Sequence, residues 1–223
     1  MSELTTSEAA KRLGLTRRRV LSMLRSGELQ GRRIGDTWLV ERHTVLSREL
    51  LGSAPGRPLS PNTTRAILDA LSTGARLTER HAGLVRSRET SALASSLARS
   101  VVVLRFASRD VERAAALLNP TAESALDRIV DDVNGRLAGH GRDTHGYPKG
   151  LTLEELIDEA LLVPDAEGAV RVYRFRDEVF PWGETPRALV AVDATRSEKA
   201  RVRAAGLDAL HQMRGAWLAA RMR

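Results

Sequence analysis

The stretch Ser26 to Val40, SGELQGRRIGDTWLV, constrains the fold of this chain more than any other segment. Glu28 to Arg33 and Thr37 to Val40 read as two short strands, and Gly35-Asp36 between them suits a tight hairpin. Trp38 is the apolar plug expected to anchor that hairpin to whatever precedes it. What precedes it is helical. Thr5 with Glu8 three residues later is a capping box, and AAKRLG then gives a short helix ended by Gly14. Thr16 is a second N-cap, followed by RRRVLSMLRSG and a stop at Gly27. Helical spacing turns Val20, Leu21 and Leu24 toward a small core and Arg17, Arg18, Ser22 and Arg25 toward the other face. A further helix, about Glu41 to Leu51, closes the module.

Two short helices joined by a Gly-Leu-Thr turn form a helix-turn-helix, whose second helix enters the major groove N-terminus first. Arg17, Arg18 and Arg19 at that N-terminus fit the task. Arginine binds guanine edges bidentately, and the helix dipole favours a nearby phosphate. The expected division of labour gives base edges to Arg17, Arg18 and Ser22. Phosphates fall to Arg19, Arg25, Arg32 and Arg33, with Thr16 at the helix start and Thr37 at the wing completing the DNA-facing set.

The run LTTSEAAKRLGLTRRRVLSMLRSGELQGRRIGDTWLVERHTV resembles the winged helix-turn-helix of the excisionase and MerR-like DNA-binding group. The resemblance rests on the Thr-x-x-Glu-Ala-Ala start, the Gly-Leu-Thr turn, the Arg-x-Val helix, Gly-x-Leu and a Gly-x-x-Trp wing. It implies a DNA-binding fold over residues 1–51. The sequence departs from the group at the wing tip, where Asp36 stands in place of a common arginine. A carboxylate near phosphate is unfavourable, so the strands of the wing rather than its tip are expected to make contact.

Charge agrees with this placement. The net charge of +7 is concentrated in residues 1–58, which hold 11 basic and 6 acidic residues; the remainder carries only +2. Only Lys11, Lys149 and Lys199 are lysines, a bias that points to a GC-rich genome and leaves the positions of the arginines to carry the argument. The chain has no cysteine, which excludes disulfides, thiolate zinc sites and cysteine nucleophiles. No apolar run approaches the roughly 20 residues that span a bilayer. The N-terminus lacks the apolar middle of a signal peptide, so a cytoplasmic protein with no membrane association is expected.

Residues 52–61, rich in proline and glycine, read as a linker, and 62–223 as an α+β region for partner binding, effector binding or dimerisation. Helices are expected from Pro61 to about Leu71, Leu77 to Arg86 and Glu89 to Arg99. The sparse apolar positions of the last two suggest packing on another domain or a second copy. A strand at Val101 to Phe106, helices at Ser108 to Leu118 and Thr121 to Leu137, and a glycine-rich loop at 139–150 follow. A capped helix at Thr152 to Leu161, strands at Ala169 to Arg174 and Ala188 to Asp193, and a long helix from Ser197 to Met222 complete the chain. The fold class is thus α+β, a winged helix-turn-helix followed by a mostly helical region with a small sheet.

No catalytic constellation emerges, and the chain is expected not to be an enzyme. His140 and His145, with Asp143 between them, lie five apart in the glycine loop without a third ligand, so a surface loop is expected there. Asp131-Asp132 point in different directions on a helix, and Asp165 with Glu167 lack a lysine at useful spacing. There is no phosphate-binding or dinucleotide fingerprint, and no cofactor or metal is implied.

GRPLSPNTTRAILDALSTG and LVAVDATRSEKARVRAAGLDALHQM are similar to bacterial proteins grouped with AbiE-like antitoxins. That resemblance implies an autorepressing antitoxin of a toxin-antitoxin operon, with double-stranded DNA and a nucleotidyltransferase-type toxin as partners. A homodimer would double the contacts of one small module. The alternatives are a ligand-responsive regulator without a toxin, which a deep apolar pocket would favour, and an excisionase-like DNA-bending factor, against which the long C-terminal region weighs.

Overall fold

A computed structural model describes residues 3–25, 28–50, 59–130, 143–165 and 167–221. The N-terminal part runs β1 (Glu3–Thr5), α1 (Thr6–Leu13), α2 (Arg17–Arg25), β2 (Gly31–Ile34), β3 (Thr37–Glu41) and α3 (Arg42–Leu50). Thr5 caps α1: its Oγ1 accepts from the Glu8 amide at 3.2 Å, and the Glu8 carboxylate accepts from the Thr5 amide at 2.7 Å. β3 lies between β1 and β2 in an antiparallel sheet. The hairpin pairs Ile34 with Thr37, leaving Gly35 and Asp36 as a two-residue turn. Gly35 adopts φ +57° at the first turn position, where a side chain would be strained.

Ala9, Leu13, Val20, Met23, Leu24, Leu29, Val40 and Val45 form the interior of this part. Two details correct the sequence reading. Met23, wholly buried, takes the inward position expected of Leu21, which is half-buried at the margin. The first wing strand starts at Gly31 rather than Glu28. Gly31 marks the closest approach, because a Cβ there would stand 2.1 Å from the Leu39 carbonyl oxygen and 3.0 Å from Leu24 of α2.

From Leu59 onward the elements are α4 (Pro61–Thr73), α5 (Glu79–Ser87), α6 (Thr90–Ala98), β4 (Val101–Ala107), α7 (Val111–Ala116) and β5 (Leu118–Pro120). A 3₁₀ turn at Ala122–Arg128 comes next. Then come β6 (Thr144–Pro148), α8 (Leu153–Glu159), β7 (Val163–Pro164), β8 (Val170–Phe175), α9 (Arg187–Ala194) and α10 (Ala200–Ala219). Five strands pair in the order β5-β6-β8-β4-β7, with β6 and β8 parallel and the other neighbours antiparallel. Alternation along β8 sends Tyr173 and Phe175 into a large core with α4, α5, α6, α9 and α10. Val170 and Val172 point the other way, into a smaller core with α7 and α8. The sheet therefore has helices on both faces.

The structure overturns several expected elements. Ala188 to Asp193 is helix α9, not a strand, and every residue from Ala188 to Ala194 is buried. The helix expected over Thr121 to Leu137 is a kinked 3₁₀ turn as far as Arg128; positions 131–142, with Asp131, Asp132 and His140, lie outside the described residues. The helix expected at Ser108 to Leu118 shortens to α7, capped by Asp110, because Leu118 to Pro120 pair with β6. Of the two packings expected for α5 and α6, the structure shows the first: Val85, Leu93 and Leu97 pack against the strands and helices that follow them. The linker expected at 52–61 lies largely outside the described residues, and its last two positions are the N-cap and first residue of α4.

His145 sits deep in β6 and not in a surface loop; its Nδ1 meets the Tyr173 hydroxyl at 3.3 Å. Nearby, Asp193 accepts from the Thr121 and Tyr147 hydroxyls, each at 2.8 Å, through one carboxylate oxygen. Burial pushes the Asp193 carboxyl up to about 7, against the pull of Arg196 and the two hydroxyls. Burial, with Arg171 adding to it, pushes the His145 imidazole down to about 3. Both groups are neutral within the core over much of the acid range. Among the described residues no group of three or more His, Cys, Asp or Glu side chains could hold a metal ion.

Candidate nucleic-acid interface

The expected DNA-facing set is exposed in full: Thr16, Arg17, Arg18, Arg19, Ser22, Arg25, Arg32, Arg33 and Thr37. Helix α2 is amphipathic because Val20, Met23 and Leu24 fill the interior, which leaves Arg18, Ser22 and Arg25 in register on the outer face at one-turn spacing. Arg17 and Arg19 flank that stripe. The Thr16 hydroxyl accepts from the Arg19 amide at 3.2 Å and starts the helix. No acidic residue occupies the first turn, so three guanidiniums stand at the positive end of the helix dipole. That local cost is offset when an anion such as a DNA phosphate arrives.

The arginines are not equivalent. Arg17 donates from Nε to the Thr6 hydroxyl of α1 at 3.2 Å, which braces the two helices. Arg19 approaches Glu28 at 3.7 Å. Among the described residues Arg18 and Arg25 have no hydrogen-bonding or ionic partner. In the wing, Arg32 grips Glu3 of β1 through both Nε and Nη2, at 2.8 and 3.0 Å. The hydrogen bond from Arg32 holds the Glu3 carboxyl below its usual range. Arg33 reaches Asp36 at 2.8 Å across the turn.

Strand alternation also separates the two wing arginines. Arg32 pairs with Leu39, and Arg33 with Trp38, so they project from opposite faces of the sheet. Both were expected to hold phosphates, a task that opposite faces of one hairpin divide between them. Glu3 has no local signal in the sequence, because its contact with Arg32 depends on β1 pairing beside β3.

A three-stranded wing, a second helix with an outward cationic stripe and a third helix closing the core define a winged helix-turn-helix. The comparison with protein families agrees: residues 3–47 match the model of the helix-turn-helix domain. No curated protein and no solved structure matches the chain. Among the described residues no helix is long and apolar enough to cross a membrane.

Proposed function

We propose that this protein is a sequence-specific DNA-binding transcriptional regulator. It is organised as a DNA-binding module over 1–51, a linker from 52 that ends at the Ser60 cap of α4, and an effector or partner region from there to 223. The observation that carries the reading is the outward Arg18–Ser22–Arg25 stripe, without partners among the described residues, on the second helix of a helix-turn-helix domain. Arg17, Arg18 and Ser22 read base edges from the major groove, while Arg19, Arg25, Arg32 and Arg33 hold phosphates. Thr16 and Thr37 flank these contacts at the helix start and the wing. In the finer form of the proposal the protein represses its own operon as the antitoxin of a toxin-antitoxin pair. Its support is the resemblance of the GRPLSPNTTRAILDALSTG segment and the final helix to AbiE-like antitoxins.

The test is a reporter driven by the DNA upstream of the gene, with the protein supplied in trans. Repression that Arg18→Ala abolishes supports the regulator, and rescue of growth from a neighbouring nucleotidyltransferase supports the antitoxin. A reporter indifferent to the protein would overturn both. One observation favours a ligand-responsive regulator as the second reading: a cleft in the C-terminal region lined by Tyr147, Tyr173, Phe175 and Phe180.

A further inference from the structure

The five-stranded sheet splits along one seam. Strands β6 and β8 run parallel and pair at Thr144–Val170, His145–Arg171 and Gly146–Val172, and there the pairing stops. Beyond that point β6 follows β5 through the Leu118–Pro148 pair, whereas β8 stays with β4 as far as Val101–Phe175. The gap opens at the carboxyl ends of two parallel strands, the place where open α/β sheets bind ligands. A cavity of about 290 Å³ occupies it.

Its lining grades from buried to exposed. Tyr147, Tyr173 and Phe175 form a buried floor, and Phe180 stacks on Tyr147 with ring centres 4.7 Å apart. Exposed carboxylates of Glu155 and Glu178 stand at the rim. The cation among the lining residues, Arg174, is already paired with Glu178. Glu155 uses one oxygen to cap α8, accepting from the Thr152 amide and hydroxyl at 2.7 and 2.9 Å, and its other oxygen remains for a ligand. An aromatic wall beside Glu155, the rim carboxylate that no lining cation pairs, suits a flat cation.

We propose that this cleft binds a small, flat aromatic amine, the ring against Phe180, which is itself backed by the buried Tyr147, and the amino edge toward Glu155. The volume fits a molecule of about one or two fused rings. The inference does not depend on DNA binding by the N-terminal module, so either can fail alone.

The test is isothermal titration of the full chain, without DNA, against three probes: 4-aminoquinoline, 2-naphthoate and cyclohexylamine. They separate flatness from charge. The expected result is saturable binding of 4-aminoquinoline, at least about ten-fold tighter than of the other two. Glu155→Gln preserves the capping box and should weaken that binding roughly five-fold, as for one partly exposed charge pair. Leu153→Trp, which fills the cleft from its half-buried lip, should abolish binding without lowering the thermal midpoint. If Leu153→Trp unfolds the protein, Glu155→Gln alone decides. No saturable binding of 4-aminoquinoline, equal binding of all three probes, or binding indifferent to Glu155→Gln would overturn the proposal.

Discussion

Arg18 and Arg33 are both exposed, yet their surroundings give them different work. Arg18 has no partner among the described residues and lies in the outward stripe of α2, so it is available to a base edge. Arg18→Ala should cost about 1–3 kcal/mol on the preferred sequence and much less on random DNA. Equal losses on both duplexes would remove its assigned role. Arg33 starts from a pairing with Asp36, so its contribution to DNA is limited by a competing carboxylate. Asp36→Asn should therefore strengthen binding to every sequence alike and steepen the salt dependence by about one unit, as titrations over a salt series would record. Within the core, Asp193 and His145 make opposed contributions to stability. The Asp193 carboxyl is raised from 3.8 to about 7, so the folded state holds a proton that the unfolded chain releases. Its contribution is full below pH 3.8 and lost as the pH rises toward 7. His145 is lowered from 6.5 to about 3; its contribution is present above pH 6.5 and lost as the pH falls toward 3. The two offset each other between these limits. Asp193→Asn should expose the histidine alone, so that stability measured by urea unfolding climbs from pH 4 to 6.5 more steeply than in the wild type. An unchanged slope would contradict the assignment.

At the scale of elements, what was legible in the sequence was local. The capping boxes at Thr5–Glu8 and Thr152–Glu155 each bring both partners within three residues, and both form as read. Strand β4 announced itself by three successive valines followed by Leu104 and Phe106. Helix α9 did not. Its RALVAVDA sequence mimics a strand, and because the helix is buried on all sides no apolar stripe of period 3.6 exists to be seen. Strand β1 is three residues, Glu3 to Thr5, whose extended state comes from pairing with Leu39 to Glu41 far along the chain. Of the candidate interface, the helix-borne arginines could be found from spacing, whereas the Arg32–Glu3 clamp could not. The wing also depends on a glycine for reasons of contact. Gly31→Ala would drive a Cβ into the Leu39 carbonyl and toward Leu24 of α2. A loss of about 1–3 kcal/mol follows, with a lower unfolding midpoint and weaker binding to all DNA. An alanine variant of undiminished stability would show that β2 does not lie against α2 as described.

Over the whole molecule, the separation of apolar clusters parallels the separation of charge. Among the described residues the core of Ala9 to Val45 contains none from the C-terminal region, and the excess positive charge lies in the same stretch of chain. This arrangement suits a basic reader joined to a nearly neutral sensor or partner region. The long C-terminal region encloses two cores and a cleft, none of which DNA contact by the wing requires. Phosphate contacts alone give affinity without sequence preference, and that affinity falls steeply with salt. The stripe on α2 is what should distinguish this protein from a generic polyanion binder. The direct test is binding of the full chain to the DNA upstream of its gene and to a scrambled duplex of equal length, across a salt series. Tight binding to the upstream DNA should persist at physiological salt, with the scrambled duplex released. Equal, weak binding to both duplexes, lost together as salt rises, would contradict it.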